Sequence, residues 1–227
     1  MNSITIIDAM EVIAWNWDER RLADEVFKLR EATIPNLPTQ ARCELSTFGK
    51  ILLQNPDTWR LLVTSDRELV GCWHFLSLTD TVYQVAVAGG LNICDLQPSF
   101  LRPLDSPGWY NLYVFTYAVK PNYRLTSASL AFARAMFDVL RDLALRQVYI
   151  ENLAANFMSE EGLAIGRALG MKHLCPHQVR GQVYWTSVPV MLRDMQFNDR
   201  RGMFLAELRS LYPPSPEEQS GNGETDS

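Results

Sequence analysis

The sequence predicts a mixed β-sheet flanked by helices, an α/β (α+β) layered domain. Three observations carry this reading. Trp59–Thr64 and Leu69–Leu78 are strand-like runs separated by the turn-forming Ser65-Asp66-Arg67-Glu68, a hairpin signature. Trp109–Val119, a helical stretch from about Thr126 to Leu145 and the apolar Gln147–Leu153 form a strand–helix–strand unit, which with the hairpin gives a mixed sheet. Hydrophobic residues make up 47% of the 227 residues and charged ones 21%, enough for a sizeable core in one large domain.

The elements follow in order. Asp18–Ala32 is the first helix: Leu22, Val26 and Leu29 recur at helical spacing, while Glu19, Arg20, Lys28 and Arg30 are assigned to its polar face. Pro35 and Pro38 stop it. A short helix runs from Ser46 to Gln54, ended by Asn55-Pro56. After the hairpin, Thr79–Pro107 is a long excursion with Gly89-Gly90, Pro98, Pro103 and Pro107, read equally as a substrate-binding loop or a structural cover. The aromatic and β-branched Trp109–Val119 is a strong strand. Ser159–Leu169 is a helix capped by Ser159 and stopped by Gly170. Val179–Val188 reads as a strand and Met191–Leu211 as a terminal helix. One domain over 1–211, with an insertion at 79–107, is therefore expected, and the Pro/Ser/Glu/Gly-rich 212–227 reads as a disordered tail.

Composition also narrows function. A net charge of -5 argues against a nucleic-acid binder, which carries a basic stripe. No apolar run reaches the ~20 residues of a membrane helix, and Met1–Ala14 lacks a basic leader, so no membrane partner is expected. Cys43, Cys72, Cys94 and Cys175 contain no CxxC pair, and His74, His173 and His177 are scattered. Reduced thiols in a cytoplasmic protein without a metal are the expectation.

The informative stretch is Tyr117-Ala118-Val119-Lys120-Pro121-Asn122-Tyr123-Arg124-Leu125-Thr126-Ser127-Ala128-Ser129. A strand ends, the chain turns, and a helix begins with small residues. The first turn of a helix has unpaired N–H donors and a partial positive charge, so an anion is favoured there. Arg124 adds a cation suited to phosphate. A well-capped helix is the alternative reading. Walker-type and G-x-G-x-x-G signatures are absent.

Val119-x-Pro121-x-Tyr123-Arg124 before a helix resembles the acetyl-CoA-binding motif of the GNAT acyltransferase superfamily, V-x-P-x-[YF]-[RQ]-x-x-G-x-[GA]. The Leu69-Val70-Gly71 opening, Ala155–Gly162 and Arg167-Ala168-Leu169-Gly170-Met171 are similar to that family's later motifs. The resemblance covers roughly Trp59 to Leu174 and departs at Ser127 and Ser129, which stand in glycine positions, and at Gly166, where the family often has tyrosine.

What the resemblance implies is a mostly antiparallel central sheet with helices on both faces, and transfer of an acetyl group from acetyl-CoA to a primary amine. Arg124, Leu125, Thr126, Ser127, Ala128 and Ser129 would hold the pyrophosphate; Tyr117, Ala118 and Val119 would pair with the pantetheine arm, and Asn156 would lie near it. Tyr113, Tyr117, Glu151 and His74 are candidates for the base that keeps the amine neutral, with Tyr117 and Glu151 taken as the catalytic residues, although each also reads as a structural residue. The acceptor is a small-molecule amine or a peptide or protein amine, and the acidic balance suits a basic one. A homodimer is compatible with the resemblance. Two alternatives stand: a non-catalytic acyl-CoA sensor or interaction module, and an enzyme for longer acyl chains lined by Val82, Val85, Val87, Leu91 and Ile93.

Overall fold

Seven strands form one sheet in the computed structural model, which describes residues 3–34, 45–195 and 200–214. They are β1 (Ile4–Ile7), β2 (Trp59–Thr64), β3 (Leu69–Leu78), β4 (Gly108–Val119), β5 (Val148–Phe157), β6 (Lys172–Pro176) and β7 (Gln182–Ser187). Their order across the sheet is β1-β2-β3-β4-β5-β7-β6, antiparallel throughout except for the parallel β4–β5 pair. The helices are α1 (Ala9–Ala14), α2 (Glu19–Thr33), α3 (Leu45–Gln54), α4 (Asp80–Val87), α5 (Ser127–Leu145), α6 (Glu160–Ala168), α7 (Val188–Asp194) and α8 (Arg200–Leu211).

Two apolar cores result, because alternate strand residues point to opposite faces. Leu61, Val63, Cys72, Leu76, Tyr113 and Ala118 pack under α1–α4. Leu62, Trp73, Phe75, Leu112, Val119 and Ile150 pack under α5, α7 and α8. Helices thus cover both faces, as expected. The strand–helix–strand unit β4–α5–β5 supplies the parallel pair.

The structure differs from the sequence reading in several places. β1 and α1 were not anticipated: four and six residues are too short for a periodicity signal, and what defines α1 is its capping box, Asp8 and Glu11 each bonding the other's backbone. β6 is an edge strand of mostly exposed residues, with no apolar alternation to betray it. The terminal helix is two helices; α7 already starts at Val188 because Pro189, with its fixed φ and no N–H, suits a first helical turn. Pro35, Pro38, Cys43 and the 215–227 part of the tail lie outside the described residues.

The 79–107 excursion contains α4 and single 3-10 turns at Ile93–Asp95 and Pro98–Phe100. Tyr83, Ala86, Leu91, Leu96 and Leu101 are buried against the α1–α4 face of the sheet. It is a structural cover on that face.

Candidate active-site cleft

β4 and β5 are bonded side by side only from Gly108↔Val148 to Val114↔Ala155. Beyond that, β4 continues to Val119 against β3, and β5 to Phe157 against β7. A bulge explains the parting: Phe115 is skipped where the β3 register steps between His74↔Thr116 and Phe75↔Val114. An extra residue bends its strand and increases the local twist. The edge of β4 from Phe115 to Val119 therefore has no strand partner on its β5 side.

A cleft of about 740 Å³, open mouth included, occupies this gap. Tyr117, Met136, Phe157 and Ile165 line it from the α5–α6 side, whereas Arg30, Ile34, Phe115 and Thr116 line it from the α2 side. Residues from both faces of the sheet thus line one cleft.

At one end of the gap the chain reverses into α5. Thr126 caps this helix: its hydroxyl accepts from Ser129 N–H at 3.2 Å and donates to Tyr123 O at 2.8 Å. Ser129 returns a bond to Thr126 O at 2.9 Å. Arg124 N–H is taken by Pro121 O at 3.2 Å. Among the described residues, the amides of Leu125, Thr126, Ser127 and Ala128 have no protein acceptor. Leu125 has φ +58 and is 95% exposed, so the turn holds an apolar side chain in the left-handed region at the tip of the loop. Such strain persists only where the surroundings impose it.

Arg124 is anchored on both sides of the gap. Its Nε donates to Val119 O at 2.9 Å and its Nη1 pairs with Glu161 of α6 at 3.0 Å. Asn156, on β5, donates through Nδ2 to Arg180 O at 2.8 Å, and its buried Oδ1 has no partner among the described residues. Gly181, at φ +98, makes this possible: a Cβ there would collide with Asn156 Oδ1 and lie 2.7 Å from Phe157 O.

The expected acid–base residues separate. Tyr117 lines the cleft, packed near Phe132 at 6.4 Å between rings, and burial raises its phenol above the ordinary value. It keeps its proton at neutral pH, which runs against the expected role as a base and leaves it a hydrogen-bond donor. Glu151 does not line the cleft. It falls where the β4–β5 register steps between Tyr110 and Asn111, near α4, where burial and, to a lesser extent, the Glu151 charge raise the Tyr83 phenol. Four residues along β5 put it about 13 Å from Ala155 at ~3.3 Å per residue. Tyr113 is buried in the core, its phenol also raised by burial.

His74 is fully buried beside Phe48 and Phe115, and burial lowers it to about 3, a poor base. A pH effect follows. Above about pH 6.5 folded and unfolded chains both hold the ring neutral. Below that the unfolded chain takes a proton that the folded one refuses until about pH 3. Stability should therefore fall with acidification by up to about 1.4 kcal/mol per pH unit across that window. Denaturation of wild type and His74→Phe between pH 7 and pH 4.5 checks it: the variant should show the shallower decline. Cys72, pushed up to about 12 by burial, is a core thiol.

Arg30 went unrecognised in the sequence. Assigned to the polar face of α2, it is 1% exposed, its guanidinium over the rings of Phe27 at 5.3 Å and Phe115 at 5.0 Å. The signal was present: it falls four residues after Val26, on the buried stripe. Phe157 was also missed. Its ring fills the space above Gly166, where any Cβ would clash with it, and packs at a tilt against Tyr184, 5.5 Å between ring centres. An aromatic ring from β5 thus occupies the room that a side chain at Gly166 would need. Val82, Val85, Val87 and Leu91 do not line the cleft; Leu91 is core and Val85 is exposed. Nor is an acidic lining found: no Asp or Glu is among the described lining residues.

Among the described residues, no helix is long and apolar enough to cross a membrane, and no three His, Cys, Asp or Glu side chains gather to hold a metal ion.

No family model and no curated protein matches the chain. Solved structures do. The loading GNATL domain of CurA from Lyngbya majuscula superposes with a TM-score of 0.51 at 10% identity, over 82% of this chain and 98% of that one. The GphF GNAT-like decarboxylase in complex with isobutyryl-CoA gives 0.50 at 14% identity, over 82% and 98%. By architecture the chain has the fold of the GNAT superfamily.

Proposed function

We propose that the chain is an N-acyltransferase that moves an acetyl group from acetyl-CoA to a primary amine. The observation that carries this is the unpaired edge of β4 beside the open first turn of α5. An edge without a strand partner suits the amides of a pantetheine arm; Tyr117, Ala118 and Val119 form it, with the Val119 carbonyl already engaged by Arg124 Nε. The open amides from Leu125 to Ala128, next to the positive end of a 19-residue helix, suit a diphosphate. Ser129 is committed to the cap, so its part is to shape that turn. Asn156 offers its unpartnered Oδ1 to an N–H in the gap.

Acetyl-CoA supplies the activated thioester. The chain holds it against the β4 edge, keeps water from the carbonyl between Tyr117 and Phe157, and presents the Tyr117 hydroxyl as a proton donor. Glu151 would need a relay to reach the amine, since it lies outside the cleft lining. Isothermal titration with acetyl-CoA and desulfo-CoA tests the reading. Neither producing heat with folded protein would count against it.

A second reading, an acyl-CoA-binding module without turnover, is favoured by one feature: Phe157 fills the space at Gly166 where a proton-donating tyrosine would stand. Binding without thiol release across a broad amine panel would select it.

Glu161 competes with a phosphate for Arg124. Glu161→Gln should raise CoA affinity by up to about fivefold, the value of an exposed ion pair, with little change in stability. Titration of CoA into both proteins is the check.

A further inference from the structure

We propose that the inner, α2-side end of the cleft is a carboxylate site, built from Arg30 and Thr116. This rests on the acyl-transfer reading and specifies what that site takes.

Arg30 is the one charged side chain among the described residues that line the cleft. It enters from α2, at 1% exposure, and its position between Phe27 and Phe115 fixes it. Its five N–H groups can serve a ligand besides any protein acceptor, and their planar fork matches a carboxylate. The second observation is independent. Thr116, on β4 and facing α2, is 4% exposed, lines the same cleft, and its buried Oγ1 has no partner among the described residues. A hydroxyl left bare at such a place costs free energy unless a ligand meets it.

Charge decides the sign. The overall charge of -5 favours cations at long range. The described lining carries a guanidinium and no acidic group, so at contact it favours an anion. Two sources share that chemistry: an acceptor amine whose own molecule bears a carboxylate, such as an α-amino acid, or an acyl chain ending in one. Both would place the carboxylate beyond the reacting centre, on the α2 side.

The experiment first titrates CoA into the full chain. Two comparisons follow: thiol release from acetyl-CoA with alanine against alaninamide, and binding of succinyl-CoA against butyryl-CoA, near-isosteres differing by the carboxylate. One comparison should favour the carboxylate by roughly tenfold or more, the worth of a charge-assisted bond. The arm showing it identifies the source. Arg30→Met should abolish the preference and retain CoA binding. Thr116→Val, which keeps the shape, should reduce it by up to roughly tenfold, since its hydroxyl would bond an ionised acceptor, and decides the matter should Arg30→Met fail to fold. CoA binding with no preference in either arm, or a preference that survives these substitutions, overturns the carboxylate site alone. Absence of CoA binding removes the acyl-transfer reading and this site with it.

Discussion

Ser127→Pro is expected to weaken CoA binding by roughly tenfold to a hundredfold while leaving the helix intact. Ser127 is the first residue of α5, where a proline fits: its ring presets φ, and no helical bond is lost because the N–H has no helical partner. The preceding Thr126 is extended, φ -86 and ψ 163, which proline prefers of its neighbour. The Thr126 cap onto Ser129 does not involve the deleted proton. The substitution removes the backbone donor and the serine hydroxyl from the open first turn and leaves the helical bonds in place. A hydrogen bond to a charged group is worth about 1.5–3 kcal/mol, which gives the stated range. Titration of CoA into wild type and variant, with thermal melting as the folding control, reads it. Equal affinities would show that the Ser127 amide holds no phosphate.

Trp73→Ala carries the largest expected loss of stability, about 3–5 kcal/mol. Trp73 is wholly buried, its ring 5.1 Å from Phe75 and 6.3 Å from Phe132, and its Nε1 donates to Phe132 O at 3.2 Å. Phe132 belongs to α5, so this indole fixes the helix above the sheet. Truncation removes packing, leaves a cavity and frees the indole's acceptor. Trp73→Phe keeps most of the packing and should cost clearly less. Urea denaturation of the three proteins measures both; equal midpoints for wild type and Trp73→Ala would refute the assignment of this residue as the α5 anchor.

How far the sequence revealed this depended on the length and burial of each element. β3, β4 and α5 are long and strongly patterned, and their prediction agrees with the structure. β1, α1 and β6 were invisible because four to six residues give little periodicity, and β6 has little apolar surface. The strand–turn–helix around Arg124 was legible because proline, small residues and a cap leave local marks. The α2 side of the cleft was not. Arg30 and Thr116 meet only through the tertiary packing of α2 on β4, and a bulge at Phe115 decides which β4 side chains face it. The ring of Phe157 over Gly166 is likewise a spatial relation between residues nine apart on different elements.

A gap lined from both faces of one sheet has a kinetic consequence. Donor and acceptor would lie together in one cleft, and no acyl group need be parked on the protein between them. Both substrates would sit in one ternary complex, with free CoA competing against the thioester but not against the amine.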